Sequence, residues 1–408
     1  MTPERSDGGY NRLPEIAGAF LKIGAMSYGG PAIMGIMQAE IQEKRQWVTR
    51  ERFVEGLALV NMLPGPGATQ LGIFLGHARA GWRGGVIAGL GFMLPAFLIM
   101  LVLTMLYTTY GTLPALRNAF YGIGPVVIGI FAVAVYRLAA GVIKDAWQIA
   151  IALIAAAAMA ATPLGIIATL LLAGASGISL YDSPRRGARA AALIVIGLVL
   201  IALVDAARVP GITNAPSGIL GSAANPGLSD IGYFFFKVGA FTFAGGLSMI
   251  AFIEDQVVNQ LHWLTAREFL DGLALGQVTP GPILMLAAFV GYKLFGVVGA
   301  TVAAGAIFLP SFLLMLSIIP ALNRVKQVTW LKAFMRGVGP AVIGVTSVSL
   351  GQMIPHAAPD GFTLFLLVFT ALLMLLWKIG PLPLVIAGGV IGAKSRTNGL
   401  ERLRELAP

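Results

Sequence analysis

The chain has 408 residues, of which 57% are hydrophobic and 11% charged, with a net charge of +10. A soluble domain carries about 25% charged residues, so this composition excludes an ordinary soluble protein, a disordered chain and a nucleic-acid binder of the usual kind. The absence of cysteine excludes thiol chemistry, disulfides and Cys-ligated metals, and with three dispersed histidines (His77, His262, His356) no metal site is expected and no cofactor is called for.

The stretch from Met1 to Pro14 is polar and short and lacks the apolar core of a signal peptide. The rest reads as 13 hydrophobic segments, near 14–42, 52–80, 83–109, 115–141, 146–161, 163–180, 188–206, 230–257, 266–294, 297–320, 331–353, 362–377 and 380–394. Many approach or exceed the roughly 20 residues that a helix needs to span a bilayer. Helix is expected throughout, because a lipid-embedded backbone must satisfy its own hydrogen bonds and no alternating strand pattern occurs. The fold class is an all-α polytopic membrane protein. The net positive charge is then read first as a topology signal.

The first segment carries Ser27-Tyr28-Gly29-Gly30-Pro31 in its middle, and the second carries Pro64-Gly65-Pro66-Gly67. Proline blocks the preceding helical turn and glycine permits a sharp reversal. Each segment is therefore either one kinked spanning helix or a re-entrant pair of half-helices. The same breaks return at Ala244-Gly245-Gly246 and Pro280-Gly281-Pro282.

That recurrence is part of an internal repeat. FLKIGAMSYGGP at 20–31 meets FFKVGAFTFAGG at 235–246, so Lys22 pairs with Lys237 at an offset of 215. After one inserted residue Trp47 meets Trp263, Glu55 meets Asp271, GLAL recurs, and Pro64-Gly65-Pro66 meets Pro280-Gly281-Pro282. The offset then returns to 215, where GIGPVVIG at 122–129 meets GVGPAVIG at 337–344. The chain is expected to comprise two homologous halves, 1–181 and 230–408, joined by a hydrophobic segment and loop at 182–229. If the broken segments are hairpins, Lys44, Arg45, Arg50, Arg52, Arg79, Arg83, Arg137, Lys144, Arg185, Arg186, Arg189, Arg324, Lys326, Lys332 and Arg336 all fall on one side, which the positive-inside rule makes cytoplasmic. The C-terminal tail (Lys394, Arg396, Arg402, Arg404) then lands on the other side. Either reading of the breaks makes the repeats inverted.

Inverted repeats with paired broken helices point to a secondary transporter whose substrate sits near the midplane. A half-helix ending inside the membrane leaves amides unpaired and puts partial positive charge there, which suits an anion. Gly29, Gly30, Gly245 and Gly246 let backbone approach a ligand. Lys22 and Lys237 lie inside apolar blocks, where a charge is costly unless it is paired or faces a cavity; the competing reading is that they snorkel to headgroups. Ser27 with Thr242, and Asn61 with Gln277, are matched donors near the breaks, or else they cap and cross-link helices. The loops Pro64, Gly65, Pro66 and Pro280, Gly281, Pro282 complete the candidate substrate site. Glu55 and Asp271 are matched carboxylates that could carry a coupling proton, with an interfacial salt bridge as the alternative. Trp47 and Trp263 are expected to be interface anchors, and spacings such as Gly85–Gly89 and Gly296–Ala300 to serve helix packing. There is no GxxxxGK[ST] for a nucleotide.

At FLKIGAMSYGGP, at GLALVNMLPGPGATQLGIFLG with its Gly81-Trp82-Arg83-Gly84-Gly85 turn, and at their degenerate second copies, the sequence resembles the chromate ion transporter (CHR) family in its long, two-domain form. The resemblance covers most of the chain. It implies a multi-pass protein of the bacterial plasma membrane that exports chromate, confers chromate resistance and is driven by membrane potential or a proton gradient. The second copy departs at Gly246 in place of Pro31 and at Ile283-Leu284 in place of Gly67-Ala68, so a strictly symmetric site is not expected. An inward sulfate permease is the alternative within transport, since sulfate is also a tetrahedral dianion. A membrane-embedded enzyme is disfavoured, because no nucleophile–base pair emerges. The partners implied are the oxyanion and the lipid bilayer, with no nucleic acid; a homodimer stays open.

Overall fold

The computed structural model describes residues 12–27, 30–162, 164–207, 226–243, 246–325 and 328–405, and among these the regular structure is helix, without a strand. The broken segments become α1 (Leu13–Met26) and α2 (Gly30–Met37, continued by a π-helical turn Gln38–Lys44), then α3 (Arg50–Val60) and α4 (Gly67–Tyr110). Within α4 the chain reverses at Ala80 and Gly81, with Gly81 at φ 63°. This separates a short arm, 67–79, from a long arm, 82–110. The arms pack so closely that a Cβ on Gly76 would stand 2.3 Å from the Gly84 carbonyl oxygen. There follow α5 (Pro114–Val142), α6 (Ala146–Ala161), α7 (Ile166–Tyr181) and α8 (Pro184–Ala207).

The second half repeats the plan with α9 (Leu228–Ala240), α10 (Leu247–Glu254, continued by a π-helical turn Asp255–Gln260), α11 (Ala266–Val278) and α12 (Leu286–Ile318). A one-turn 3-10 helix (Ile283–Met285) precedes α12, and a short α13 (Leu322–Val325) follows it. The chain closes with α14 (Thr329–Ala357), α15 (Gly361–Leu376) and α16 (Pro381–Glu405). α12 reverses at Phe295 and Gly296 as α4 does, and Gly291 meets Gly299 there. Gly296 therefore serves a turn, at φ 56° with nothing near its missing Cβ, rather than the helix packing expected of it.

Local signals start the helices where these spans begin. Thr49 caps α3 by accepting from Arg52 N at 3.2 Å, and Asp145 caps α6 by accepting from Gln148 N at 3.0 Å. Thr265 with Glu268, and Asp360 with Thr363, form capping boxes. Four stretches, Gly67–Tyr110, Pro114–Val142, Ile283–Ala321 and Thr329–Ala357, are long and apolar enough to cross a membrane. Leu90, Leu94, Leu98, Val102 and Leu106 recur every fourth residue and face outward on α4. Such a stripe suits lipid rather than water.

Side-chain contacts decide between kinked and re-entrant breaks. Glu15, in the first turn of α1, accepts from Trp47 Nε1 at 3.0 Å and pairs with Arg45 at 3.7 Å and Arg79 at 3.2 Å. The start of α1, the end of the α2 stretch and the end of the short arm of α4 therefore share one face of the molecule. Glu268 at the start of α11 pairs likewise with Lys293 at the end of the short arm of α12, at 2.8 Å. Each broken segment is thus a re-entrant pair of half-helices, and the kinked spanning reading falls. Trp47 belongs to this ion cluster: it is 9% exposed, with Arg45 and Arg79 over its ring at 5.4 and 5.3 Å. It is a buried hub, not the lipid-facing anchor expected.

The long arm of α4 leads to the opposite face, where the Tyr107 hydroxyl donates to Asp271 at 2.7 Å. α11 therefore starts from the face opposite to α3, and the repeats are inverted. α6 and α7 form a hairpin tied at its base by the Tyr181 hydroxyl on Asp145 at 2.8 Å, and Thr329 at the start of α14 donates to Asp182 beside it at 2.8 Å. Tyr121, near the start of α5, donates to Asp360 at the start of α15.

The homologous halves are interlaced. α5 packs against α15 and α16, and α14 packs against α6 and α7. A Cβ on Gly122 would stand 2.1 Å from the Gly388 carbonyl oxygen, and one on Gly337 2.0 Å from that of Ala173. Gly344 against Ala152 mirrors Gly129 against Leu367. Each partner is displaced by 215 residues, so the repeat read in sequence is also a repeat of contacts. The final helix pair of each half has been exchanged between the halves.

Candidate functional site

The four breaks meet, and they meet across the repeats. The Gly65 amide donates to the Thr242 carbonyl at 2.6 Å, and the Gly281 amide donates to the Ser27 carbonyl at 2.6 Å. Each Pro-Gly-Pro loop is thereby tied to the broken first segment of the other half. Both loop glycines need positive φ, 124° at Gly65 and 96° at Gly281, a region that side chains resist. Pro66 and Pro282 then enter the next helices as N-caps, where a missing amide hydrogen costs nothing. Gly246, at φ 101°, is the N-cap of α10. Tyr28, Gly29, Ala244 and Gly245 lie outside the described residues, so the expectations for Gly29 and Gly245 are not met or denied by the structure.

The chain direction sets the electrostatics. α1, α3, α9 and α11 end at the crossing, and α2, the short arm of α4, α10 and the turn leading into α12 begin there. The starts come in neighbouring pairs. A Cβ on Gly67 would touch Met34 Cε of α2 at 2.9 Å, and one on Gly246 would stand 3.0 Å from Leu284 Cδ1. Helix N-termini present free amides and partial positive charge, which is the chemistry of an anion site.

The side chains at the crossing differ between the two loops. Next to Gly65 stand the Gln70 amide and the Ser311 hydroxyl, 2.2 and 2.7 Å from where a Cβ would be. Gln70 Nε2 donates to the Pro64 carbonyl at 2.5 Å. Gln70 Oε1, Thr69 Oγ1, Ser311 Oγ and Ser27 Oγ are buried and find no hydrogen-bond partner among the described residues. An unpartnered buried polar atom is costly, and four of them at the breaks mark a place suited to a polar ligand. Thr242 differs, because its hydroxyl donates to the Val238 carbonyl at 2.6 Å. Sequence reading missed Thr69, Gln70 and Ser311. Thr69 and Gln70 stand in the GATQ string directly after the loop, and Ser311 follows Pro310; each breaks an apolar run, which is the signal that was available.

The other sequence candidates sit differently. Asn61 and Gln277 are near the ends of α3 and α11; Asn61 is exposed and Gln277 half-buried. Lys22 is not at the crossing itself. Its side chain is 51% exposed and reaches Glu40 at 4.0 Å, on a carboxylate that also takes Lys44 at 3.6 Å and Arg45 at 3.0 Å. It stands on the face of α1 away from the buried Phe20, Ile23, Gly24 and Ser27. Lys237 is half-buried with its ammonium 4.9 Å from the Tyr233 ring centre. The matched carboxylates part company as well. Glu55 pairs with Arg52 at 2.8 Å and is 38% exposed, whereas Asp271 is 8% exposed under the Tyr107 hydroxyl. Among the described residues no group of three or more His, Asp or Glu is placed to hold a metal ion.

The family model for the chromate transporter matches residues 14–178 and again 229–393. A chromate transport protein of Cupriavidus metallidurans is 33% identical over 383 residues, 93% of this chain and 92% of that protein. A probable chromate transport protein of Synechococcus elongatus is 35% identical, covering 92% of this chain and 93% of its own length. A chromate transport protein of Pseudomonas aeruginosa is 34% identical over 93% of this chain and 91% of its own. No solved structure matches the chain. With both repeats matched and relatives aligned over nearly their whole length, this multi-pass helical membrane protein, a transport protein and not an enzyme, belongs to the chromate transporter family.

Proposed function

We propose that the chain is a secondary active transporter that moves chromate out of the cell across the bacterial plasma membrane and so confers chromate resistance. The observation that carries this reading is the reciprocal pair of hydrogen bonds, Gly65 to Thr242 and Gly281 to Ser27. It gathers the starts of the half-helices and the unpartnered hydroxyls and amide into one place at the middle of an inverted repeat. A tetrahedral dianion needs donors and positive potential, and backbone amides with Ser27, Thr69, Gln70 and Ser311 supply donors. Lys22 and Lys237, about 6 Å and about 4–5 Å of helical rise from the last residues of their helices, add positive potential along the approach. The basic face built from Lys44 to Arg52 and the loops beside it is taken as cytoplasmic.

Relatives named for chromate favour chromate over sulfate. The interlaced packing speaks against rocking one whole half on the other, since α5 and α14 each pack against the other half's final pair. The moving body in this reading is the group of hairpins at the crossing, sliding on the α5–α7 and α14–α16 scaffold.

Radiolabelled chromate uptake into inside-out vesicles, with an imposed proton gradient and potential and excess sulfate as competitor, tests the proposal. Gradient-dependent accumulation that sulfate blocks only in part is expected. Sulfate moving in place of chromate would reassign the substrate, and neither moving in folded protein would remove the oxyanion reading. In the same assay Lys22→Ala and Lys237→Ala should each lower flux. Normal flux in the double variant would take the lysines out of the site.

A further inference from the structure

Away from the crossing, the second half holds a cavity of about 190 Å³ lined by Glu254, Asn259, Ala266, Phe269, Gln352, Met353 and His356. Glu254, the last residue of α10, is 4% exposed. Its carboxylate takes Ser349 Oγ at 2.5 Å and Asn259 Nδ2 at 3.2 Å. Among the described residues no lysine or arginine pairs with it. The ionisable groups around it are Asp255, held by the amides of Gln256 at 3.3 Å and Gln260 at 2.9 Å, and His356 across the cavity. α11 offers Ala266 and Phe269, and α9 reaches α10 through Phe234 stacked on Phe252 at 6.0 Å.

Nothing in the repeat demands this arrangement. At the matching positions the first half has Ala39 or, past the inserted residue, Gln38 for Glu254, Glu43 for Asn259, Ala134 for Ser349, Arg137 for Gln352 and Gly141 for His356. A carboxylate buried at membrane depth without a cation is expensive. Hydroxyl and amide partners suit either protonation state, because a hydroxyl can donate to the anion or accept from the acid. A metal cation would want several oxygen ligands around it, and the lining offers fewer. Glu254 also lies about 10 Å of helical rise from the start of α10 at the crossing. It sits toward the face that carries Asp360 and the start of α11, opposite the basic one.

We infer that Glu254, with Ser349, Asn259 and His356, is a proton-binding site that links the transmembrane proton gradient to substrate movement. The proton enters from the less basic face, rests on a Glu254 carboxylate oxygen with His356 as the neighbouring relay, and leaves without covalent change. This rests on the transport reading above, and it adds a carboxyl distinct from Asp271. Residues 269 and 271 lie on opposite sides of α11, so Asp271 meets Tyr107 of α4 while Phe269 faces the cavity.

The test uses the full chain in proteoliposomes with two flux measurements. One is chromate accumulation driven by a pH gradient; the other is chromate–chromate exchange at equal pH. Glu254→Gln should keep exchange and lose gradient-driven accumulation at least about tenfold. Accumulation equal to wild type overturns the inference. So does loss of both activities in a folded variant, which would place Glu254 in the substrate path. Infrared spectroscopy of wild type gives a readout free of transport: a protonated-carboxyl band should titrate with pH and shift in Ser349→Ala. If that band is missing or unmoved the inference fails, even where Glu254→Gln does not fold. If wild type moves no chromate, the proposed function fails and the band still decides Glu254.

Discussion

The two Pro-Gly-Pro loops share a backbone and differ in what surrounds it. At Gly65 the neighbours are Gln70 and Ser311; at Gly281 the nearest atom to a Cβ is that of Ala96, at 2.7 Å. Where the first half has Gly67, Ala68, Thr69 and Gln70, the second fills the turn with Ile283, Leu284 and Met285. Duplication preserved the frame that crosses the halves. Gln70 and Ser311 flank the Gly65 loop, whereas the Ser27 hydroxyl stands at the Gly281 crossing. A symmetric frame with unequal chemistry fits a substrate that binds in one orientation. The site at Glu254 carries a further bias, because its carboxylate has no acidic counterpart at the matching position of the first half. The anion's donors then come from both halves, Ser27, Thr69 and Gln70 from the first and Ser311 from the second, while the seat for the proton is built by the second.

The largest effects should come from the loop glycines themselves. Either alanine must adopt positive φ and meet a close neighbour, at a combined cost of about 2–5 kcal/mol. The neighbours differ, and so should the outcomes. Gly281→Ala drives into Ala96 Cβ, which is fixed on a helix, so it should give the larger fall in thermal stability in detergent. Gly65→Ala meets only the side-chain ends of Gln70 and Ser311, which can turn aside where backbone-fixed Ala96 Cβ cannot, so it should fold better and lose more chromate flux. Equal behaviour of the two in both assays would break the comparison.

Next come the polar residues on the Gly65 side. Ser311→Ala removes an orphan hydroxyl, so stability should hold or rise slightly, while chromate flux falls about tenfold if one good donor, worth about 1.4 kcal/mol, is lost. Gln70→Leu should lose more, since the bond to the Pro64 carbonyl goes as well. The mirror change, Ala96→Ser, adds a buried hydroxyl and should cost about 1–3 kcal/mol in stability with flux nearly unchanged. Wild-type flux in Ser311→Ala would remove the polar side as the anion site.

Much of this frame was legible in the residues. The repeat, the breaks and the turn at Gly81 could be read because glycine and proline act locally, and local rules leave a local trace. The choice between kink and hairpin could not, because it rests on Glu15 reaching Trp47, Arg45 and Arg79 across 30 to 64 positions. The exchange of final helix pairs was invisible for a like reason: Gly122 and Gly388 show only small size, and not whom they touch. Matching by repeat also drew attention to duplicated residues, Lys22 with Lys237 and Glu55 with Asp271. It therefore passed over Gln70, Ser311 and Glu254, whose distinction is that they lack a twin.

The smallest effect should separate the two matched carboxylates. Glu55 and Arg52 form an exposed pair three residues apart, and such pairs contribute about 0–1 kcal/mol. Glu55→Gln should leave both stability and flux close to wild type. Asp271 takes its hydrogen bond from Tyr107 out of reach of solvent, so Tyr107→Phe leaves a buried acceptor short of its donor and should cost about 1–3 kcal/mol. Thermal melts of the two variants in the same detergent give the comparison directly. If Glu55→Gln proves as damaging as Tyr107→Phe, repeat position rather than burial decides what these carboxylates do, and Glu55 returns as a coupling candidate equal to Asp271. If only Tyr107→Phe matters, the same contrast appears a third time: one frame, drawn twice, with different polar groups at work in each copy.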